Sequence, residues 1–336
     1  MAFSNIKGHD KVIERLKGFL RENRLAGAYL FAGPKGIGKA LMALEFAKAI
    51  NCEKGSPDPC DSCVSCVRID KNAHPDVHII DPQDPEIKIE YIRQLQKEIN
   101  LKPYEARKKI FIIPAAEQLN SASASCLLKT LEEPAPNSVI ILVTDKPASL
   151  LKTIISRCQI IKFSAILPGY LERLLNTDYR LEPQAAHFLA YFCEGRLGHA
   201  LLWKDSDILV AKNAIIDSAL SPKASSGDYA LAIEKLSPVS GANSRNRLEQ
   251  ERGALRSYFN ILASWFRDIY LLKAGIPSGG LINLDRKDEL RRVAGKVKFS
   301  DIENALQQIS SSLLCIEQNV NTRLLLTHLR WAIRST

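Results

Sequence analysis

Residues Ala28 to Ile50 decide the fold, and they read AYLFAGPKGIGKALMALEFAKAI. The apolar run Ala28 to Ala32 predicts a buried strand, and the apolar residues from Leu41 to Ile50 recur at helical spacing. Between them lies the glycine-rich turn GPKGIGK. A strand, a glycine turn and a helix N-terminus together direct backbone N–H groups at phosphate, so this stretch predicts a phosphate-binding loop. The candidate nucleotide-contacting residues are Gly33, Gly36, Gly38 and Lys39.

One position of this loop departs from the usual pattern. A Ser or Thr normally follows the lysine, because its hydroxyl binds Mg²⁺. This chain has Ala40 there, and a methyl group cannot bind a metal. The stretch therefore has the shape of a nucleotide site without one of its metal ligands. An ordinary glycine-rich turn is the alternative interpretation.

Composition narrows the class of protein. A chain of 336 residues is long enough for two or three domains, and 46% apolar with 25% charged residues is ordinary for a globular protein. No apolar run reaches the ~18 residues of a membrane helix. The N-terminal residues lack the form of a signal peptide, so we expect a cytoplasmic protein. The net charge of +9 is compatible with nucleic acid nearby but defines no binding face.

The eight cysteines fall into two groups. Cys52, Cys60, Cys63 and Cys66 are clustered, and in a cytoplasmic protein such a cluster favours metal over disulfides. Four thiolates at these spacings can surround one tetrahedral Zn²⁺ and leave no open position, so we predict a structural zinc site. An iron–sulfur cluster is the alternative, but the run lacks the spacing and following proline of ferredoxin sites. The scattered cysteines, predicted to be buried thiols, are Cys126, Cys158, Cys193 and Cys315.

Strands and helices alternate along roughly the first half of the chain, which predicts a parallel α/β sheet with right-handed crossovers. Besides the first strand, the predicted strands are Val77 to Ile80, Lys109 to Ile113, Ser138 to Thr144 and Gln159 to Phe163. Thr144 ends its strand, so we expect it at the edge of the sheet where open α/β sheets bind ligands.

The residues after the strand Lys109 to Ile113 bear on catalysis. In a phosphate-loop nucleotidase this strand should end in Asp-Glu, because the Asp supports Mg²⁺ and the Glu positions the attacking water. Pro114 and Ala115 follow instead, so neither acidic position is filled. Glu117 lies farther along, and we interpret it as a solvated turn carboxylate without a metal role.

Beyond Pro168-Gly169 the sequence favours helices only. Short helical segments lead to a small polar stretch, Pro222 to Gly227, which predicts a linker. The amphipathic run Asn243 to Lys273 then begins a helical bundle that continues to the C-terminus. Aromatic residues concentrate at interface centres, so Trp265, Phe266 and Trp331 are candidate anchors for partner subunits. Burial in the core of the bundle is the alternative.

Five stretches together carry a resemblance to a known family. They are Gly33 to Lys39, the cysteine cluster followed by His74-Pro75-Asp76, Leu127 to Pro134 (LLKTLEEP), Ser156-Arg157-Cys158, and Glu194 to Ala200. With them the chain resembles the delta-prime branch of bacterial DNA polymerase III, within the AAA+ clamp-loader family. The match covers most of the first 205 residues, and beyond them only the helical character agrees.

This resemblance implies three domains. It implies an α/β P-loop AAA+ domain over residues 1–166 with an inserted zinc module at 52–66, a small helical lid domain over 167–206, and an all-α C-terminal collar, an oligomerisation bundle, over 207–336. It also implies that Arg157 acts in trans, as an arginine finger in the ATP site of a neighbouring subunit. An ordinary surface arginine is the alternative.

The resemblance further implies partners and a missing activity. The partners would be ATP-hydrolysing tau/gamma-type subunits and delta, and indirectly the sliding clamp and primed DNA. ATP-hydrolysing members carry Ser or Thr at position 40, acidic residues at 114 and 115, and arginine at 198, whereas this chain has Ala40, Pro114, Ala115 and Gly198. We therefore expect a subunit of the polymerase holoenzyme that does not hydrolyse ATP by itself, and the sequence leaves ATP binding open. The alternatives are an active clamp-loader ATPase and a zinc-containing DNA-binding module with a vestigial nucleotide fold.

Overall fold

A computed structural model describes residues 2–81, 86–220 and 247–317. Its contacts divide the chain into two compact units, Met1–Ile166 and Leu167–Thr336. Within the described ranges, no helix combines the length and the apolar character needed to cross a membrane.

A parallel sheet forms the centre of the first unit, as the sequence predicts. Its strands are β1 (Ala28–Ala32), β2 (Val77–Ile79), β3 (Lys109–Ile113), β4 (Ser138–Thr144) and β5 (Gln159–Lys162). They lie in the order β2-β3-β4-β1-β5, and β1 pairs in parallel with both β4 and β5. The chain leaves β1 where the strand order reverses, and open α/β sheets bind ligands at this kind of position.

Helices cover both faces of this sheet. They are α1 (Asp10–Arg21), α2 (Lys39–Asn51), α3 (Val64–Asp70), α4 (Ile89–Ile99), α5 (Ser121–Glu132) and α6 (Lys152–Arg157). Successive strand residues point to opposite faces, so Tyr29 packs with Phe46 of α2 in one core and Leu30 packs with Leu127 of α5 in the other. Strands buried on both faces need continuous apolar runs, which is why their bounds are readable in the sequence.

Helices make up the regular structure of the described part of the second unit, apart from short 3-10 turns. They are α7 (Pro168–Thr177), α8 (Pro183–Phe192), α9 (Leu197–Leu201), α10 (Ile208–Leu220), α11 (Arg247–Lys273), α12 (Lys287–Lys296) and α13 (Phe299–Glu317). Helix α11 packs against α10, α12 and α13, so its apolar residues point inward over several faces. Trp265 and Phe266 are therefore core residues, 0% and 4% exposed, so burial in the core of the bundle is confirmed for both. Trp331 and the predicted linker lie outside the described residues.

Local structure differs from the prediction at several places. The apolar residues from Ile6 to Leu20 predict a helix, but α1 begins only at Asp10, because Gly8 turns the chain with φ 77°. A helix is also predicted over Ala148 to Ser156, but α6 begins only at Lys152, after a 3-10 turn. Helix α3, which the sequence did not predict, begins inside the cysteine cluster. Cys63 caps it, since its sulfur accepts the N–H of Cys66 at 3.4 Å.

Candidate functional site

The turn after β1 has the backbone of a phosphate loop. A Cβ atom at Gly33 would lie 2.5 Å from the Phe163 carbonyl oxygen, so only glycine fits there. Gly36 and Gly38 take φ values of 79° and 94°, which favour glycine. The carbonyl of Gly38 accepts the N–H of Met42 at 2.9 Å, so α2 begins directly after the loop. The predicted strand, turn and helix are confirmed as geometry.

The Lys39 side chain folds back onto its own loop. Its ammonium donates to the carbonyl oxygens of Gly33 and Pro34, both at 2.7 Å, and the residue is 7% exposed. Burial lowers the pKa of Lys39, while the charges of Asp145 and Glu117 oppose that shift. A bound phosphate would have to draw this ammonium away from two carbonyls that it already satisfies.

Two carboxylates lie close enough to the loop for their charges to act on Lys39. Oε2 of Glu117 and Oδ1 of Asp145 are buried and have no hydrogen-bond partner among the described residues. Glu117 lies in a turn, as the sequence predicts, but the residue is half-buried rather than fully solvated. The 3-10 turn that contains Glu117 is hydrogen-bonded to the segment before α4, because the carbonyl of Gln118 accepts the N–H of Ile87 at 2.8 Å.

At the positions that bind Mg²⁺ and orient water in phosphate-loop nucleotidases, this chain has side chains without hydroxyl or carboxylate oxygens. Ala40 is exposed in the first turn of α2, and Pro114 and Ala115 follow β3 directly. Thr144 ends β4 and is 1% exposed, and its hydroxyl oxygen accepts the N–H of Lys146 at 3.1 Å. Its carbonyl accepts the N–H of Gly33 at 3.3 Å, so Thr144 lies against the loop.

His9 is a further contact to the loop, and no sequence signal pointed to it. Nε2 of His9 lies 2.7 Å from the carbonyl oxygen of Ile37, and the imidazole meets the Phe163 ring edge-on at 5.2 Å between centroids. Burial lowers the pKa of His9, so the neutral imidazole is favoured. A single histidine before a helix carries no pattern from which this contact could be predicted.

The four clustered cysteines meet in space. Their sulfur atoms all lie within 4.8 Å of one another, and a tetrahedral Zn²⁺ site would separate them by about 3.8 Å. Cys52 follows α2 and Cys66 lies on α3, and both are buried. The donor set and its spacing therefore fit a structural zinc ion held by four thiolates.

Hydrogen bonds favour the thiolate at Cys60, whereas burial raises the pKa values of Cys52 and Cys66. The sulfur of Cys60 accepts the N–H of Cys63 at 3.3 Å. Hydrogen bonds from Ser62 lower the pKa of the Cys60 thiol to about 5. Thiolates are the metal-binding form of cysteine, so these hydrogen bonds favour the form of Cys60 that binds a metal ion.

A buried lysine of α2 forms ion pairs that connect this helix to the cysteine cluster. Nζ of Lys48 lies 2.9 Å from Oε1 of Glu45, 2.9 Å from Oδ1 of Asp61 and 2.8 Å from Oδ1 of Asp70. Burial opposes the charged ammonium, but hydrogen bonds to the three carboxylates outweigh burial and raise the pKa of Lys48. Asp61 belongs to the cluster and Asp70 ends α3, so one cation joins three elements. The sequence showed Lys48 only as a charged residue in an apolar helix.

The motif His74-Pro75-Asp76 has a structural explanation. The carboxylate of Asp76 accepts the backbone N–H groups of Tyr104, Glu105 and Ala106 at 2.8 to 2.9 Å. Nδ1 of His74 accepts the N–H of Asp76 at 3.1 Å. Both side chains are buried, and together they tie the start of β2 to the loop that precedes β3.

Arg157 lies at the C-terminal end of α6. Its Nη1 donates to the carbonyl of Thr153 at 3.0 Å, and its Nη2 lies 2.8 Å from Oε1 of Glu132. Its side chain is 35% exposed, so the guanidinium reaches the surface of the first unit. The predicted trans-acting role needs such a position.

The segment Glu194 to Ala200 forms the tight turn after α8 and most of α9. Glu194 and Gly195 have φ values of 51° and 76°. The Arg196 Nε–H donates to the carbonyl of Cys193 at 3.0 Å, so this guanidinium is engaged within its own turn. Gly198 is exposed in α9, where the resemblance expects arginine in ATP-hydrolysing members.

Buried charges also organise the second unit, and no sequence pattern predicts them. The carboxylate of Asp268, 0% exposed, accepts the backbone N–H groups of Ile282 and Asn283. The ammonium of Lys212 lies 2.6 Å from both carboxylate oxygens of Asp285. These contacts fix the segment between α11 and α12 to its neighbours.

The remaining cysteines follow the prediction in part. Cys158 and Cys193 are buried, and burial raises the pKa of each thiol to about 12. Cys126 and Cys315 are only partly buried.

Two family models match this chain. The model described as "DNA polymerase III, delta subunit" matches residues 8–166, and "DNA polymerase III, delta subunit, C terminal" matches residues 238–332. The two matches together cover well over half of the chain.

The chain is also similar to individual proteins. The chain is 41% identical over 181 residues to DNA polymerase III subunit delta' of Bacillus subtilis, a match that covers 54% of each chain. It is 28% identical over 302 residues to B. subtilis DNA polymerase III subunit tau, covering 86% of this chain and 54% of the relative. The chain spans about half the length of the curated relatives it matches. The crystal structure of a gamma subunit-related protein from Thermotoga maritima aligns with a TM-score of 0.46 at 16% identity, covering 96% of this chain and 98% of that one.

The resemblance first carried by short motifs thus extends over both units. Because the two family models carry the same subunit description and together cover most of the chain, the chain belongs to the DNA polymerase III delta-subunit family.

Proposed function

We propose that this chain is the clamp-loader subunit that does not hydrolyse ATP and that supplies Arg157 to the ATP site of a neighbouring subunit. The observation that carries the proposal is the contrast within the first unit. Ala40, Pro114 and Ala115 occupy the positions of the metal and water ligands, while Arg157 presents a partly exposed guanidinium.

The absent side chains account for the lack of hydrolysis. Phosphoryl transfer needs Mg²⁺ and an oriented nucleophile, and this loop offers neither the hydroxyl nor the acidic pair that would hold them. Gly33, Gly36, Gly38 and Lys39 can still surround a phosphate group, with Thr144 at the edge of the loop. Nucleotide binding by these residues would then serve the structure of the subunit.

The proposed role of Arg157 explains why the chain keeps a nucleotide-binding fold although it does not hydrolyse ATP. A guanidinium delivered in trans stabilises the charge that develops on the transferred phosphoryl group, and it is worth ~10³–10⁵ in rate in well-studied nucleotidases. Arg157 ends a helix directly before a strand, so the scaffold fixes its backbone. The function of this scaffold is then to position Arg157.

The remaining assignments follow from membership in a loader. We propose an AAA+ domain over residues 1–166 with a structural zinc ion at Cys52, Cys60, Cys63 and Cys66, a lid over 167–206, and a collar over 207–336 that joins the subunits. The partners are ATP-hydrolysing tau/gamma-type subunits and delta, and through them the sliding clamp and primed DNA. The working compartment is the cytoplasm.

Steady-state ATP hydrolysis by the reconstituted loader tests this function. With clamp and primed DNA present, Arg157→Ala should slow hydrolysis at the neighbouring site by about 10³. The matched control is Arg24→Ala, because Arg24 is also a surface arginine paired with a glutamate, 3.3 Å from Glu22. An Arg157→Ala loader that hydrolyses ATP at the unmodified rate would contradict the proposal.

A second candidate function is an ATP-hydrolysing tau/gamma-type subunit, which the match to subunit tau over 86% of this chain favours. The isolated chain distinguishes the two functions. Mg²⁺-dependent turnover that Lys39→Ala abolishes would support the second candidate, and no turnover above background supports the first.

A further inference from the structure

Arg157 touches a residue to which the proposed function assigns no role. Glu132, the last residue of α5, places Oε1 2.8 Å from Nη2 of Arg157. The other terminal nitrogen, Nη1, donates to the carbonyl of Thr153 at 3.0 Å. Two contacts from two helices therefore hold both ends of the guanidinium plane.

These contacts still leave donors available. A guanidinium has five N–H groups, and the two contacts occupy one on each terminal nitrogen. The Nε–H and one N–H on each terminal nitrogen remain for another acceptor. The side chains of Arg157 and Glu132 are 35% and 50% exposed, so an anion can approach the pair from solvent.

Helix α5, which ends at Glu132, is packed into the core of the first unit. Helices α5 and α6 pack against each other, and Leu127, Leu131 and Ile154 lie in the same buried core. A side chain on such a mount keeps its position more accurately than one on a loop. Through its ion pair, Glu132 can therefore fix the orientation of the Arg157 guanidinium relative to α5.

We propose that Glu132 is a positioning residue that orients the Arg157 guanidinium for the triphosphate of the neighbouring subunit. This inference rests on the proposed function of Arg157. An arginine without a partner samples many rotamers, and ordering it for each encounter costs free energy. A carboxylate that holds the plane in advance removes part of that cost, as preorganised groups do in catalysis.

The opposite role predicts the opposite sign. A carboxylate that competed with phosphate for the guanidinium would slow hydrolysis, so its removal would speed the reaction. The positioning role predicts that its removal slows the reaction. The direction of change therefore separates the two roles.

The experiment measures ATP hydrolysis by a loader reconstituted from the full chain, its ATP-hydrolysing partners, the clamp and primed DNA. Glu132→Ala should lower kcat by about two- to five-fold, the factor that an exposed ion pair is worth, with KM for ATP unchanged. Glu132→Gln should retain part of the rate, because its amide oxygen can still accept from Nη2. The control is Glu133→Ala, which removes an adjacent exposed carboxylate and should leave kcat unchanged.

A double variant tests whether Glu132 acts through Arg157. In the Arg157→Ala background, Glu132→Ala should cause no further loss, because the group that it positions is gone. A further loss of the same size would show that Glu132 acts on the fold and would overturn the inference.

The remaining outcomes separate this inference from the function on which it rests. If Arg157→Ala slows hydrolysis and Glu132→Ala leaves it unchanged or speeds it, the positioning role is wrong and the function stands. If Arg157→Ala itself has no effect, both are wrong.

Discussion

The α2 side of the first unit and the end of α6 both carry cations, and the chain treats them in opposite ways. Lys39 is 7% exposed and donates to carbonyls of its own loop, and Lys48 is 2% exposed among three carboxylates. Arg157 is instead held at the surface by one exposed carboxylate. Buried cations whose contacts lie within the chain stabilise the scaffold, whereas a surface cation with donors left over is accessible to an anion from outside.

This difference predicts two separable classes of variant. Changes in the buried groups around α2 should alter the stability of the chain. A change at Arg157 should alter the chemistry of a neighbouring subunit and leave stability nearly untouched. Each prediction below tests one side of this division, from the largest effect on stability to the smallest.

Loss of the zinc ligands should have the largest effect on stability. Cys63→Ser should abolish binding of one equivalent of zinc and open the segment around it, since structural zinc contributes on the order of 10 kcal/mol in small finger peptides. Elemental analysis and trypsin cleavage after Lys54 and Arg68 measure the two consequences. Cys126→Ser is the control, because Cys126 lies outside the cluster and a hydroxyl can still donate to Gln96. A Cys63→Ser protein that keeps full zinc would contradict the assignment.

Removal of the Lys48 ammonium should be the next largest effect. Lys48→Met leaves the buried carboxylate of Glu45 unpaired, which should lower the free energy of unfolding by about 3 kcal/mol. Urea unfolding monitored by circular dichroism measures this change. Lys54→Met removes an exposed lysine near the same cluster and should change stability by less than about 0.5 kcal/mol. Equal stabilities of the two variants would show that Lys48 does not fasten α2 to the cluster.

Mild acid should weaken the first unit. Burial lowers the pKa values of His9, His74 and His78, so the unfolded chain binds protons on these residues more readily than the folded chain. Their contribution to stability is therefore complete above the unfolded pKa of about 6.5 and falls as pH drops below it, by at most about 1.4 kcal/mol per pH unit for each histidine.

Urea midpoints measured from about pH 8 to about pH 5.5 test this expectation, because histidine is the side chain that ordinarily titrates in that range. His9→Gln should make the decline shallower, since one of the three groups is removed. A midpoint that stays constant over this range would contradict the assigned pKa directions.

Substitution of Arg157 should have the smallest effect on stability. Its ion pair with Glu132 is exposed on both sides, and such pairs contribute about 0–1 kcal/mol. Arg157→Ala should therefore shift the urea midpoint far less than Lys48→Met does. A destabilisation as large as that of Lys48→Met would place Arg157 among the structural cations and remove the contrast.

The sequence predicted the elements whose signals are local. The strands β1, β3 and β4 have the predicted bounds, because continuous apolar runs end at turn-forming residues. The cysteine cluster was predictable, since thiols at short spacings can reach one ion. The phosphate loop was predictable from its glycines, because φ values near 80° and 94° at Gly36 and Gly38 exclude most other residues.

The features that the sequence did not predict depend on contacts between distant segments. Lys48 meets Asp61 and Asp70 only after the cysteine loop folds back onto α2, and spacing along the chain does not show that contact. Oε2 of Glu117 is buried in a turn that is bonded to a distant segment, since the Gln118 carbonyl accepts the N–H of Ile87. The sequence left Trp265 open between core and interface, because the sequence of α11 does not show that neighbouring helices pack around it. Propensity and pattern describe single elements, whereas these environments are tertiary.

ATP hydrolysis by the reconstituted loader, measured with Arg157→Ala and Lys39→Ala side by side, tests the central claim most directly. The account predicts that Arg157→Ala removes clamp- and DNA-stimulated hydrolysis at the neighbouring site, whereas Lys39→Ala leaves kcat unchanged in a loader of the same composition. Loss of hydrolysis with Lys39→Ala at full assembly, together with an unchanged rate for Arg157→Ala, would show that the chain turns over its own nucleotide and would contradict the account.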